Sequence, residues 1–310
     1  MNALAEEQAG KPSGTAMGTA LLRALAYREY GGEGRGGTGK QGAGDQGLGS
    51  DHLARYFIPG YLRHGLSTRF IRDKVKEKVP PGLYEFLTAR TAWFDRVFVR
   101  ALEEKAARIV LLGAGYDTRA LRFSGINRGT RIIELDMPQT QGRKRECLHK
   151  AGIETPESLR FAAIDFHTQK LSEVLEAEGY DKSEPTLFLW EGVTYYLERE
   201  AVDATLSLIA ENRHPQSRVA FDYAVPVPEG GLDGYGVREI ISLMLERHPD
   251  EKTRFSLEDA DMESFLAGKG LSVQERLDHR DMEKMLSAGG GMGGHCRIIP
   301  LFRLLKACPC

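Results

Sequence analysis

The sequence predicts an α/β fold built on a Rossmann-like, doubly wound parallel sheet, and three observations carry that prediction. Residues 109–112 form an unbroken β-branched and aliphatic run, the mark of a strand covered on both faces. That run stops abruptly at Gly113-Ala114-Gly115, where glycines permit backbone conformations and a close ligand approach that a Cβ would block. Three further apolar runs each end in an acid: Asp136, Asp165 and Glu191. In open α/β sheets ligands bind at the carboxyl edge of the strands, which is where these four ends meet.

Taken in chain order, residues 1–18 are small and polar and predict little order. Residues 19–30 have helical spacing through Leu21, Leu22, Leu25 and Ala26, a helix suited to closing over a site. Between 31 and 50, ten of twenty residues are glycine, too little apolar surface to offset chain entropy, so a flexible linker or hinge is expected. Residues 51–100 read as mostly helical with a break at Pro80-Pro81-Gly82. Their charges, including Arg69, Arg72, Lys74, Lys76 and Lys78, predict a solvated face.

After the first strand, Thr118 stands near the position where a dinucleotide fingerprint needs its third glycine, so no pyrophosphate cradle is predicted. The second strand, from 130, delivers Asp136, an acid placed to accept hydrogen bonds from both hydroxyls of a ribose. Glu134 shares its strand face and competes for that role. The third strand, 159–164, leads into Asp165-Phe166, an acid and an aromatic suited to the amino group and ring face of an adenine. The fourth, 186–190, leads into Glu191-Gly192. The alternative for each acid alone is a cap on the following helix; four suitably placed strand ends favour a cofactor site. A fifth strand, 218–223, precedes a Pro/Gly-rich loop at 225–236 and a helix at 237–247, together a helical insertion at about 225–255. A capped helix over 256–268, a strand over 271–277, a glycine loop at 289–294 and a final strand over 296–304 complete the chain.

The ordered set Leu-Gly-Ala-Gly-Tyr-Asp-Thr-Arg, Glu-Leu-Asp-Met-Pro, Ile-Asp-Phe, Trp-Glu-Gly-Val-Thr-Tyr-Tyr-Leu and Phe-Asp-Tyr-Ala resembles the leucine carboxyl methyltransferase family, including its bacterial and polyketide-associated O-methyltransferase branch. The resemblance runs from about Thr88 to Ala224. It implies a class I methyltransferase sheet, mostly parallel with an antiparallel last strand, plus a helical cap. It also implies S-adenosyl-L-methionine as cofactor and oxygen, usually of a carboxylate, as methyl acceptor. Gly113 and Gly115 would then lie against the methionine portion, Asp136 on the ribose, Asp165 and Phe166 on adenine, and Glu191 near the sulfonium. Arg90 would pair bidentately with a carboxylate of cofactor or substrate, Tyr196 would stand at the substrate mouth, and Arg23 would fall near a basic cofactor contact. The competing roles are a surface salt bridge for Arg90, core packing for Tyr195 and Tyr196, and a solvated loop position for His167. Val193 and Thr194 depart from the family pattern, and the C-terminal segments of its protein-methylating branch are not recognisable, which favours a small-molecule acceptor over a protein C-terminus.

A carboxylate is ionised at neutral pH and needs positioning rather than a base, whereas a phenol or alcohol must lose a proton. No His/Asp pair stands out, so the sequence favours a carboxylate acceptor. The alternatives are a phenol or hydroxyl methyltransferase, a catalytically inactive cofactor-binding partner protein and, further off, a nicotinamide-dependent oxidoreductase. Composition agrees with a globular cytoplasmic enzyme of 310 residues, 41% hydrophobic and 28% charged. A net charge of −2 argues against a nucleic-acid groove, and no stretch has the length or apolarity of a membrane span or signal peptide. Cys147, Cys296, Cys308 and Cys310 suggest no disulfide framework, no metal site is expected, and the Cys308-Pro309-Cys310 tail is expected to be frayed and reduced. The predicted organisation is a mobile segment with cap helix and linker over 1–50, followed by one methyltransferase domain over 51–310.

Overall fold

A computed structural model describes residues 13–31, 49–165, 168–212, 214–227, 230–247, 254–288 and 296–310. Seven strands form one sheet: β1 (Arg108–Leu112), β2 (Arg131–Asp136), β3 (Leu159–Ala163), β4 (Thr186–Trp190), β5 (Arg218–Ala224), β6 (Leu271–Leu277) and β7 (Phe302–Pro309). Their spatial order is β3-β2-β1-β4-β5-β7-β6. The first five pair in parallel, and β7 runs antiparallel to both β5 and β6. The chain reverses its direction of travel across the sheet between β3 and β4, so the ends of β1 and β4 flank a crevice of the kind that holds ligands in doubly wound sheets.

Eleven described helices surround this sheet: α1 (Gly14–Tyr30), α2 (Gly60–Gly65), α3 (Arg69–Lys76), α4 (Leu83–Glu103), α5 (Arg119–Arg122), α6 (Pro138–Lys150), α7 (Leu171–Ala177), α8 (Arg199–Ala210), α9 (Val237–Arg247), α10 (Asp259–Ala267) and α11 (His279–Ala288). All five residues of β1 and of β4 are buried. Ile109 and Leu111 face one hydrophobic core with side chains of α1, α4, α6 and α11; Val110 and Leu112 face a second with α7, α8 and α10. Helices on both faces explain why these strands are apolar throughout rather than alternating. No described helix is long and apolar enough to cross a membrane.

Three boundaries differ from the sequence expectation. Helix α1 begins at Gly14 rather than residue 19, because Ser13 Oγ accepts from the Ala16 N–H at 3.2 Å and caps the first turn. Ser256 does not cap a helix; it bridges to Ala224, the Leu257 N–H bonds the Ala224 carbonyl at 3.1 Å, and α10 starts only at Asp259. The last strand is displaced, running from Phe302 to Pro309 instead of 296–304. Pro300 has no N–H for a ladder, and the residues before it pair elsewhere: Ile298 donates to Glu283 Oε1 at 2.8 Å and Ile299 to the Gly82 carbonyl at 3.3 Å. The tail is therefore not frayed, since Cys308 and Pro309 lie within β7 and the Cys310 N–H bonds the Gly270 carbonyl at 2.8 Å. All four cysteines are free, and no group of metal-ligating side chains occurs among the described residues.

Candidate functional site

The carboxyl ends of β1, β2 and β4 open into a cavity of about 1020 Å³ whose wall includes Gly113, Gly115, Asp136, Arg90, Glu191 and Tyr196. Helix α1 forms another wall through Thr15, Ala16, Thr19 and Arg23. A second hollow, about 620 Å³, lies at the opposite edge beside Pro185 and Arg218 and contains none of these strand-end groups.

At the end of β1, Gly113 and Gly115 adopt φ of +66° and +51°, the left-handed region that side chains with a Cβ seldom enter. A Cβ on Gly113 would stand 2.6 Å from Val193 Cγ2, so the turn and the loop after β4 pack too closely for any larger residue. Asp136 fixes the turn from the neighbouring strand: its carboxylate accepts the Gly115 N–H and, at 2.7 Å, the Met137 N–H. Burial raises the Asp136 carboxyl despite those two donors. Glu134 is removed from the ribose role by its surroundings. It is 1% exposed and ion-paired with Lys144 of α6, and burial pushes its carboxyl up to about 7.

Behind the cavity lies a continuous buried ion network. Arg90, on α4, is 3% exposed and donates from Nη1 to Asp222 Oδ2 at 2.9 Å and Tyr195 Oη at 3.1 Å, while its Nε stands 3.1 Å from Glu191 Oε1. The other oxygen of Glu191 accepts from Arg119 Nη1 at 2.7 Å. Arg119 also donates to Asp95 at 2.8 Å and to Asp117, and Arg122 grips both oxygens of Asp95 at 2.6 and 2.8 Å. Glu191 is thereby held from two sides by guanidinium groups that cannot swing away, because each has a second buried acid as partner. The surface alternative for Arg90 does not survive its burial.

Tyr196 lies beside Tyr195 on a 3-10 turn, with ring centroids 4.6 Å apart. Arg23 is 5% exposed and donates to the Tyr116 carbonyl at 2.7 Å, placing it over the glycine turn. Asp165 lies past the end of β3, where its N–H donates to Gln169 Oε1 at 2.9 Å. On that side the described wall is formed by Gln169, Lys170, Leu171 and Ser172 rather than by Asp165 itself. Phe166 and His167 lie outside the described residues, as do most of the glycine-rich 31–50 stretch and the 289–294 loop.

Sequence reasoning assigned no role to Asp95, Arg119, Asp222 or Arg254. Asp222 had a signal, an acid inside the apolar strand Val-Ala-Phe-Asp-Tyr-Ala; Arg119 closes the Gly-Tyr-Asp-Thr-Arg string. Of the described residues in the insertion after β5, Arg254 lines the cavity.

Sheet order, glycine turn and facing acid define an α/β protein of the class that binds nucleotide-like cofactors at a strand switch point. The sequence model of the leucine carboxyl methyltransferase family matches residues 38–210, more than half of the chain, and the chain belongs to that family. A protein of Mycobacteroides abscessus named "Putative S-adenosyl-L-methionine-dependent methyltransferase" is 29% identical over 221 residues, 65% of this chain and 66% of its own. A Bacillus subtilis protein of similar name is 28% identical over 201 residues, 64% of each chain. The chain spans between about half and two thirds of the length of the curated relatives it matches. A crystal structure of a "putative methyltransferase" from Thermobifida fusca superposes with a TM-score of 0.56 at 13% identity, covering 97% of this chain and 96% of that one, and shares the fold.

Proposed function

We propose that this chain is an S-adenosylmethionine-dependent O-methyltransferase that methylates a carboxylate of a small molecule, acting in the cytoplasm, with the N-terminal segment and the insertion after β5 serving as its cap. The observation that carries the reading is the convergence on one cavity of a glycine turn, Asp136 and an immobilised Glu191. The fit to the cofactor rests on the turn: at Gly113 a Cβ would clash with Val193, and the Gly115 side of the turn is open to the cavity wall formed by Ala16.

When bound, S-adenosylmethionine supplies a methyl group activated on a sulfonium, which passes to oxygen while sulfur keeps the bonding electron pair as a thioether. Gly113 and Gly115 let the backbone lie against the methionine portion. Asp136 spends one acceptor direction on each of Gly115 and Met137, which leaves lone pairs of the same carboxylate for ribose hydroxyls. Glu191, fixed by Arg90 and Arg119, sets a negative charge for the sulfonium. Asp165 and Phe166 are proposed for the adenine, and Tyr196 for the acceptor mouth.

Carboxylate rather than hydroxyl is favoured by what surrounds the cavity. The tyrosine nearest Arg90, Tyr195, is a poor proton acceptor in its ordinary neutral form, because burial and the nearby Asp222 push its hydroxyl upward, and Glu191 at the end of β4 is already held by Arg90 and Arg119. A carboxylate needs no such base, only orientation and removal of water.

The test is titration calorimetry of the folded protein with S-adenosylmethionine, S-adenosylhomocysteine and NAD, followed by a methylation screen of carboxylic acids against phenols and alcohols. Micromolar binding of the two sulfur compounds alone, and methyl ester products, is the expected result. Binding of NAD alone would overturn the cofactor assignment; methyl ethers as sole products would overturn the acceptor class.

A further inference from the structure

Among the described residues four cationic side chains line the cavity: Lys170, 79% exposed on the Asp165 side, and the guanidinium groups of Arg23, Arg90 and Arg254. Arg23 and Arg90 are almost wholly buried and committed to the protein: Arg23 to the Tyr116 carbonyl and Asp51, Arg90 to Asp222, Glu191 and Tyr195. Drawing Arg90 onto an incoming carboxylate would strand Asp222 or Glu191 in the interior, a strongly unfavourable exchange. Arg254 is different. Its side chain is 44% exposed and pairs with Glu198, itself 61% exposed, at 2.6 Å.

An ion pair so open to water contributes little, so a carboxylate arriving in the cavity can replace Glu198 at small cost. The replaced Glu198 loses nothing essential, because its side chain makes no capping bond to α8 and returns to solvent. The root of Arg254 is nonetheless fixed: its N–H donates to the Tyr195 carbonyl at 2.8 Å, beside the turn carrying Tyr196. Next to this pair the wall is mixed, with Leu197, Ala201, Ala204 and Leu208 giving it apolar surface among Thr205, Ser207 and Glu211.

We propose that Arg254 is the residue that recognises the acceptor's carboxylate and that Glu198 is its built-in competitor. The acceptor is then an amphipathic acid, its apolar body on Leu197, Ala201, Ala204 and Leu208 and its carboxylate on Arg254. This rests on the carboxylate methyltransferase reading above. It also gives the product a reason to leave: the methyl ester has lost the charge that outcompeted Glu198, so Glu198 recaptures Arg254.

The experiment uses the full chain saturated with S-adenosylhomocysteine and titrates octanoate and trans-cinnamate beside their methyl esters by calorimetry. Wild type is expected to bind each acid about threefold to fivefold more tightly than its ester, the scale of a partly exposed ion pair. Arg254→Gln should level acid and ester without altering ester affinity or melting temperature. Glu198→Gln should strengthen acid binding and leave the ester unchanged. An acid preference that survives in Arg254→Gln, or no binding of either acid to wild type, overturns the proposal. S-adenosylhomocysteine is titrated first into every variant. If wild type fails to bind it, the reading of the whole site falls; if it binds and the acid preference is missing, the role of Arg254 alone falls.

Discussion

Arg119 touches three carboxylates, those of Asp95, Asp117 and Glu191, from a position with no exposed surface. Replacing it with methionine leaves those acids facing one another in a medium that hydrates none of them well. Removing one partner of a buried pair costs about 3–5 kcal/mol, so Arg119→Met should lower the urea midpoint by that amount of stability; a loss under about 1 kcal/mol would mean the acids find water. Asp136→Ala acts on binding instead. Losing hydrogen bonds to an ionised acceptor should weaken S-adenosylhomocysteine binding by roughly 1–3 kcal/mol in calorimetry, and unchanged affinity would take Asp136 out of the site. At this scale the sequence shows which residues end strands, since an acid after an apolar run is a local pattern. It does not show partnership. Arg90 and Asp222 lie 132 residues apart, and nothing near either announces the other. The choice between Glu134 and Asp136 was equally hidden, because residues two apart share a strand face and only the packing of Lys144 from α6 separates them.

The elements around the site depend on one turn. Gly113 has a positive φ and a neighbouring loop within contact distance, so Gly113→Ala meets two penalties, the left-handed backbone and a Cβ 2.6 Å from Val193. The first costs about 1–2 kcal/mol for a residue with a Cβ; the second displaces the loop that carries Glu191. Expected together are reduced stability in urea and loss of cofactor binding, and adding Val193→Ala should recover part of the binding but not the backbone term. Full binding by Gly113→Ala would show that the turn does not touch the ligand. Strands β1 and β4 were legible because burial on both faces leaves an apolar run, whereas β3 at the sheet edge, half exposed, was read from the acid that follows it. The last strand was not, because Ile298 and Ile299 are as apolar as a strand and are buried for another reason: they belong to the core cluster, with Ile298 bonded to Glu283 of α11 and Ile299 to the Gly82 carbonyl, while Pro300 delays the ladder. Helix α1 was legible by periodicity from residue 19, and its first turn was missed because Gly14, Thr15 and Ala16 carry no such pattern, only the Ser13 cap.

For the molecule as a whole, the interior acids whose carboxyls are shifted divide into two groups with opposite effects on stability. Burial works to raise Asp95 and Asp117, but Arg122 and Arg119 outweigh it at the first, and Arg119, Lys144 and Arg23 at the second, so both titrate below their ordinary values. At Glu134, Asp136 and Asp222 burial wins and the carboxyls rise, Glu134 to about 7. A lowered acid contributes stability that is present above its unfolded value and lost as pH falls through its folded one; a raised acid contributes stability that is complete below its unfolded value and lost as pH climbs through its folded one. The first group therefore destabilises the fold in strong acid, below the ordinary 3.8 of an aspartate. Glu134 does so between its ordinary 4.5 and about 7. The melting temperature should thus fall as pH rises across that second window. The double variant Glu134→Gln, Lys144→Met keeps a hydrogen-bonding amide and removes both charges, so its melting temperature should be flatter there, with the acid limb reduced but not abolished, because Asp117 loses Lys144 while keeping Arg119 and Arg23, and Asp95 keeps both its arginines. Calorimetric scans of both proteins across the window decide the matter: an equal slope in the variant would take Glu134 out and leave the other raised carboxyls, Asp136 at the cavity, Asp222 behind it and Glu85, and saturating S-adenosylhomocysteine would then change a slope due to Asp136 where it would leave one due to Glu134 untouched.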